Sequence, residues 1–186
     1  MKRLADFLAA LVGLAVFAPL WLVLAVLIQL DSPGSVLFRQ VRVGRNGREF
    51  VLLKFRSMRT DTPHLSTADL KSSGLEPYTR VGKWLRKTSL DELPQLWNVL
   101  MGQMSLVGPR PALPSQIALN TQRETLGVLA LRPGITGWAQ VNGRDNLSDD
   151  EKVARDVEYL QRQSLWLDLQ ILVLTVAAIF TAKGNK

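Results

Sequence analysis

The sequence predicts an α+β chain, mainly helical, in which an apolar N-terminal helix and one β-hairpin precede a compact helical body. Three observations lead there. Leu4–Leu30 is apolar except at Asp6 and Gln29. Asn46-Gly47 divides a β-patterned stretch from Val36 to Phe55, the signature of a tight hairpin turn. From Thr79 onward, Ser/Thr/Asp starts and Gly/Pro stops recur at helical spacings. The chain has 186 residues, 47% of them apolar, enough for one domain with a core. It has no Cys, which excludes disulfides and thiolate metal sites.

The first element is the apolar run. As a straight helix it would extend about 40 Å, against about 30 Å for a bilayer's hydrocarbon core. It is too long for a signal-peptide core, and no small-residue cleavage site follows it. Pro19 interrupts it, after Ala18, leaving halves of about 22 and 16 Å, each too short to span. Lys2 and Arg3 flank one end, and Arg39, Arg42, Arg45 and Arg48 follow the other. The preference of Lys and Arg for the cytoplasmic side then asks for both ends on one face. Sequence physics leaves a kinked spanning helix and a hairpin that re-enters one leaflet both open.

Asp31-Ser32-Pro33-Gly34 is a turn, and the hairpin follows. Its second strand runs into Lys54-Phe55-Arg56-Ser57-Met58-Arg59, either a solvated basic face or an anion-binding one. Residues 61–77 are polar and turn-rich. They carry the single histidine, His64, read as a surface residue; with no other His and no Cys, a zinc site is not expected. Thr79–Lys87 reads as a short basic helix.

Ser89-Leu90-Asp91-Glu92-Leu93-Pro94 opens the next helix. With Asp91 as N-cap, Pro94 is the third helical residue and both acids lie in the first turn. At about 6 Å and an effective dielectric of about 20, two carboxylates repel by roughly 3 kcal/mol. The helix N-terminus returns only about 0.3–1 kcal/mol to each. Two ionised acids here therefore call for a cation, from arginine or a metal. Such a pair can supply a carboxylate nucleophile or hold Mg2+ against a phosphate. The plain alternative is a capping box, Glu92 tying back to Ser89.

That helix reaches about Met101 and stops at Gly102. In Gly108-Pro109-Arg110-Pro111, Pro109 and Pro111 stiffen the backbone around Arg110, as suits an ordinary rigid loop or one that presents a guanidinium to phosphate. Pro114–Leu126 is a helix. Residues 132–144, ending at Arg144, form a long Gly-rich loop that matches neither nucleotide-binding glycine pattern. Ser148 and Glu151 make a capping box for a helix to about Gln163. Residues 164–182 are again apolar; Ile171–Ala182, at about 18 Å, is too short to span and lies on the core or in the membrane interface, with Trp166 as an anchor.

Net charge is +7, and it is uneven. Residues 31–90 hold twelve Lys/Arg against five acids, and residues 91–186 nine against ten. A basic block just after an apolar segment suits anionic lipid or an anionic substrate. Aromatics do not interleave with it, which speaks against nucleic acid.

Taken together, Asp31-Ser32-Pro33-Gly34, Val43-Gly44-Arg45-Asn46-Gly47, Lys54-Phe55-Arg56-Ser57-Met58, Ser89 to Gln95, Gly108 to Pro111, and Pro133-Gly134-Ile135-Thr136-Gly137 through Gly143-Arg144 resemble the bacterial sugar transferases, small monotopic polyprenol-phosphate phosphoglycosyl transferases. The resemblance covers nearly the whole chain. It implies a re-entrant membrane hairpin over residues 1–30, broken at Ala18-Pro19, and a cytoplasmic catalytic domain over 31–186 with interfacial helices. It implies transfer of a phospho-sugar from a UDP-sugar to undecaprenyl phosphate at the bacterial inner membrane, with UMP released, as the first membrane step of glycan assembly. Asp91 would be the nucleophile, through a covalent phosphosugar; Asp91 and Glu92 would hold Mg2+. Arg86, Arg110 and Arg144 would bind phosphates, with Lys54, Arg56, Pro109 and Pro111 beside them. Membrane lipid is then a partner, and a homodimer and downstream glycosyltransferases are compatible associations. Two positions depart from the family: Ala18 stands where Ser often precedes the Pro, and Asp145 where many members have Asn. Rival readings are a phosphohydrolase that uses Asp91 with water as acceptor, and a structural partner in a glycan-assembly complex.

Overall fold

The computed structural model describes residues 1–60, 62, 77–143 and 146–181. The expectations for His64, Arg144 and Asp145 lie outside these residues. The first element, α1, is Lys2–Asp31. The break expected at Pro19 does not divide it: the helical run continues through the proline. Proline removes one backbone bond and costs about 3 kcal/mol. Packing of both halves against one body offsets that. Ala10 and Leu14 pack with Phe50, Leu96 and Val99, while Trp21, Leu24 and Ile28 pack with Phe55 and Leu85.

The outer face of α1 stays apolar and open, with Leu4, Leu8, Val12, Val16, Leu22 and Leu30 exposed. Among the described residues α1 is the single helix long and apolar enough to cross a membrane. Its ends are nonetheless fastened to the same body. Lys2 Nζ lies 2.5 Å from Asp168, and Arg3 donates to the carbonyls of Val99 and Leu100 at 2.6 and 2.8 Å. Buried Asp6 accepts from Ser105 Oγ and the Leu106 N–H. At the far end, Asp31 accepts the Val81 N–H at 2.9 Å, and Arg56 donates to the carbonyls of Ser32 and Pro33 at 2.6 and 2.7 Å.

The hairpin forms as expected from β1 (Leu37–Val43) and β2 (Glu49–Phe55), antiparallel with Val41 opposite Val51. Asn46 and Gly47 take φ of 56° and 72°, the left-handed pair that a tight hairpin turn needs. The hairpin is locked to α3 (Gln95–Leu100) by buried Asn98, whose side chain accepts the Leu53 N–H at 3.0 Å and donates to the Val51 carbonyl at 2.7 Å.

Between them, α2 (Arg80–Thr88) is capped by Thr79, which accepts the Gly82 N–H, close to the basic helix expected over 79–87. The Gly-rich stretch is more structured than a loop. It contains β4 (Gly134–Thr136), parallel to β3 (Ser105–Val107), and a one-turn α5 (Trp138–Val141). Its glycines serve close approach: a Cβ on Gly134 would lie 2.1 Å from the Gly108 nitrogen. The Gly-Pro-Arg-Pro and Pro-Gly-Ile-Thr-Gly motifs are thus packed backbone to backbone.

Three longer helices complete the body: α4 (Ile117–Thr125), α6 (Asp149–Arg162) and α7 (Leu165–Thr181). The capping box at Ser148 and Glu151 is present. On α7, Leu167 and Ile171 are buried beside Val107 and Tyr159, whereas Leu165, Trp166, Leu169 and Val173 are exposed. The helix thus rests on the core by one face and leaves an apolar face open.

Candidate active site

The acid pair does not sit in the first turn of a regular helix. Ser89 adopts φ 57°, ψ 17°, a left-handed conformation that ends α2, and Leu90–Glu92 form a separate 3-10 turn ahead of α3. Pro94 explains the correction. It has no N–H to give the Leu90 carbonyl in an α-type bond, so that carbonyl accepts from Leu93, three residues on, at 3.3 Å. The capping box also fails, since Ser89 makes no side-chain cap bond. Glu92 instead accepts from Lys54 Nζ at 2.8 Å and from both terminal nitrogens of Arg110 at 3.2 and 3.3 Å.

Asp91 lies inside this arrangement, 4% exposed. Among the described residues no hydrogen bond reaches its carboxylate. Burial pushes its pKa up; Lys54 pulls it back most strongly, Glu92 adds to the rise, and Arg86 and Arg110 counter it. A buried carboxylate with nearby cations but no donor keeps its lone pairs unspent, the condition a nucleophile needs. Lys54 is held below its usual pKa by burial, with Glu92 acting against that shift.

The expected site residues divide. The structure brings together Asp91, Glu92, Lys54, Arg86 and Arg110. Arg86 also stacks over the Tyr78 ring at 4.8 Å. Pro109 and Pro111 flank Arg110 with their carbonyls bonded elsewhere, to the Gly134 N–H at 2.9 Å and to Arg42 at 3.1 Å. Arg56 does not join the phosphate-binding group. It is buried, and its terminal nitrogens donate to the carbonyls of Ser32 and Pro33 just past the end of α1, and to that of Ile28 in its last turn. The reason is where the strand ends: alternation would put residue 56 on the face of Lys54, but β2 stops at Phe55 and the chain has turned off the strand by residue 56.

One residue was missed. Arg42, on β1, enters the sequence reading only as one of the arginines that follow the apolar run. It is half-buried, bonded to Gln40 and to the Pro111 carbonyl, and its pKa is pulled down to about 10 by burial and by Arg110, with Glu92 opposing. No sequence signal separates it from Arg39, Arg45 and Arg48; only the docking of the 109–112 segment against β1 does.

Four described cations, Lys54, Arg86, Arg110 and Arg42, thus act on two carboxylates, a surplus of two positive charges. That surplus suits an anion with more than one charge. No cluster of three or more His, Cys, Asp or Glu able to hold a metal occurs among the described residues. A two-carboxylate set with substrate phosphates completing the shell is nevertheless what Mg2+ ordinarily uses, so Asp91 and Glu92 fit that ion.

Comparison with known proteins follows the same lines. The family model for bacterial sugar transferases matches residues 1–182. An undecaprenyl-phosphate glucose phosphotransferase of Komagataeibacter xylinus is 45% identical over 94% of this chain and 35% of its own length. A UDP-glucose:undecaprenyl-phosphate glucose-1-phosphate transferase of Xanthomonas campestris pv. campestris is 43% identical over 98% of this chain and 39% of its own. One of the same name from Caulobacter vibrioides is 44% identical over 97% and 70%. The chain therefore spans little more than a third of the first two relatives.

Proposed function

The chain belongs to the bacterial sugar transferase family, and we propose that it moves a phospho-sugar from a UDP-sugar to undecaprenyl phosphate, yielding a polyprenyl-diphosphate sugar and UMP. The observation that carries this reading is the buried Asp91 carboxylate, free of hydrogen-bond donors among the described residues and ringed by Lys54, Arg86 and Arg110.

In the first step an Asp91 oxygen attacks the sugar-bearing β-phosphorus. A carboxylate–phosphorus bond forms, the bond to the bridging oxygen breaks, and UMP departs with that electron pair. In the second step an oxygen of the polyprenol phosphate attacks the same phosphorus and releases the Asp91 carboxylate. Both are attacks of an anion on an anion, so catalysis rests on charge neutralisation. Arg110, fixed by its loop, and Arg86 would orient the diphosphate. Lys54 holds Glu92 and lowers the cost of its charge beside Asp91. Asp91 and Glu92 would hold Mg2+, which supplies further neutralisation of the phosphate oxygens.

The membrane reading is that α1 enters one leaflet and returns, with the body at the cytoplasmic face of the inner membrane. Its support is that residues at both ends of α1 bond to the same body, so the two ends need not lie on opposite faces. The open apolar faces of α1 and α7 would meet acyl chains, and the acceptor's isoprenoid tail would lie in the same layer.

The test uses purified protein in lipid nanodiscs with Mg2+, undecaprenyl phosphate and a panel of UDP-sugars. UMP and lipid-linked product are followed, and intact mass is recorded after UDP-sugar alone. A phosphosugar adduct on the wild type, absent from Asp91→Asn, is the expected result. UMP with free sugar phosphate and no lipid product would make the protein a hydrolase instead.

A further inference from the structure

Every carbonyl of the Pro109-Arg110-Pro111-Ala112 segment is bonded, each by a different group. Pro109 accepts the Gly134 N–H at 2.9 Å. Arg110 accepts Nη1 of Arg123 at 2.9 Å. Pro111 accepts Nη1 of Arg42 at 3.1 Å. Ala112 accepts the Val43 N–H at 3.0 Å. Two of the four are backbone groups of neighbouring strands. The other two are guanidinium groups, an unusual expenditure of charged donors on neutral carbonyls.

Arg123 is the stronger case. It is 4% exposed on α4, and its other terminal nitrogen meets Asp156 of α6 at 2.6 Å, with Asp156 itself 2% exposed. A buried ion pair is expensive to desolvate, and an apolar pair of similar volume often gives equal stability. Stability alone therefore does not account for it. What an apolar pair cannot do is reach across to the Arg110 carbonyl. The guanidinium fork has a fixed geometry, so when Asp156 orients one prong the direction of the other is set. That second prong ends on the backbone of the residue whose own guanidinium meets Glu92.

We infer that Arg123, oriented by Asp156, is a positioning residue for Arg110. Arg42 performs the same task one residue on, at Pro111. The chain from Asp156 through Arg123 to the Arg110 carbonyl sets where the Arg110 guanidinium stands relative to Asp91 and Glu92, and so where a phosphate oxygen is held. This rests on the phosphoryl-transfer reading above, with Arg110 as a phosphate ligand.

Arg123→Lys separates position from fold. Lysine keeps a positive charge against Asp156, so no buried carboxylate is stranded, but its point charge cannot hold both partners in the fork's geometry. Steady-state UMP release is measured for wild type, Arg123→Lys, Arg110→Ala and the double variant. Amide hydrogen exchange across residues 106–113 is measured in the same four proteins. A misplacement of the order of 1 Å can cost about a hundredfold in rate, so Arg123→Lys is expected to lower kcat/KM by about ten- to a hundredfold. Exchange in the segment should rise. In the Arg110→Ala background the same change should cost less than about twofold, since a residue acting only through Arg110 has nothing left to position. An equal loss in both backgrounds, or wild-type kinetics for Arg123→Lys, overturns the inference. If the wild type turns over no UDP-sugar, the functional reading fails by itself, and the exchange data still decide the structural claim: unchanged exchange in Arg123→Lys rejects it.

Discussion

Two buried aspartates, about as inaccessible as each other, are treated in opposite ways. Asp156 has a dedicated guanidinium at 2.6 Å; Asp91 has cations around it and no donor on it among the described residues. Burial raises the pKa of both, and for Asp156 the Arg123 charge and hydrogen bond work against that rise. The difference is where the compensation lies. At Asp156 it is a direct bond, which leaves the carboxylate satisfied and inert. At Asp91 it is a field from several side chains, which favours charge without occupying the oxygens. On the proposed reading, burial alone does not mark an active acid; burial without a bonded partner among the described residues does.

Replacing each acid by its amide should pull the two apart. Asp91→Asn is expected to lower UMP release by about 10⁴-fold or more, as loss of a covalent nucleophile does, while the melting temperature holds or rises because a charge need no longer be buried. Asp156→Asn should do the reverse in kind. It strands the Arg123 charge and should cost about 3–5 kcal/mol of stability in chemical denaturation. A stable Asp156→Asn protein, or an unfolded Asp91→Asn protein, would erase the distinction.

A smaller effect is expected from Lys54→Met. It removes the strongest of the cations opposing the rise in the Asp91 pKa and should lower kcat about tenfold with the fold intact, read by UMP release beside circular dichroism. The same change should displace the acid limb of the rate upward. That limb is itself the mildest test. The nucleophile must be ionised, and its folded-state pKa lies above the ordinary 3.8. Activity should thus fall on acidification at a pH above the usual carboxylate range. The stability term has the opposite sign: the folded state holds this proton more tightly than the unfolded one, so the Asp91 contribution to stability rises as pH drops through the raised value. Asp91→Asn should remove that slope from a denaturation-versus-pH series.

Much of this was legible in the sequence because it depends on short-range chemistry. Asn46-Gly47 required a left-handed turn, Ser148 and Glu151 a capped helix, and Gly102 a helix end. The acid pair and Arg110 stood out for the same reason, being charges set in local patterns. Long-range relations were not legible. Nothing near Arg42 says that a proline segment some seventy residues later will lie across it. Nothing in Lys54-Phe55-Arg56 says that one cation faces the acids while the other caps a helix. At Pro19 a local rule about backbone bonds met a tertiary surface that holds both halves of α1, and the helical run continues through the proline.

The joint between α1 and the body has a consequence for how this protein can be handled. The negative C-terminal end of α1 is held by Arg56, and its last residue, Asp31, caps the positive start of α2, whose far end delivers Arg86 and then the acid turn. The apolar helix α1 is thus a structural member of the frame around the acid turn and not a tether clipped to it. Trimming residues 1–31 to obtain a water-soluble fragment would uncover Phe55 and Leu85 and strip the Val81 N–H of its Asp31 acceptor, so solubility gained by that route would be bought with the alignment of the site.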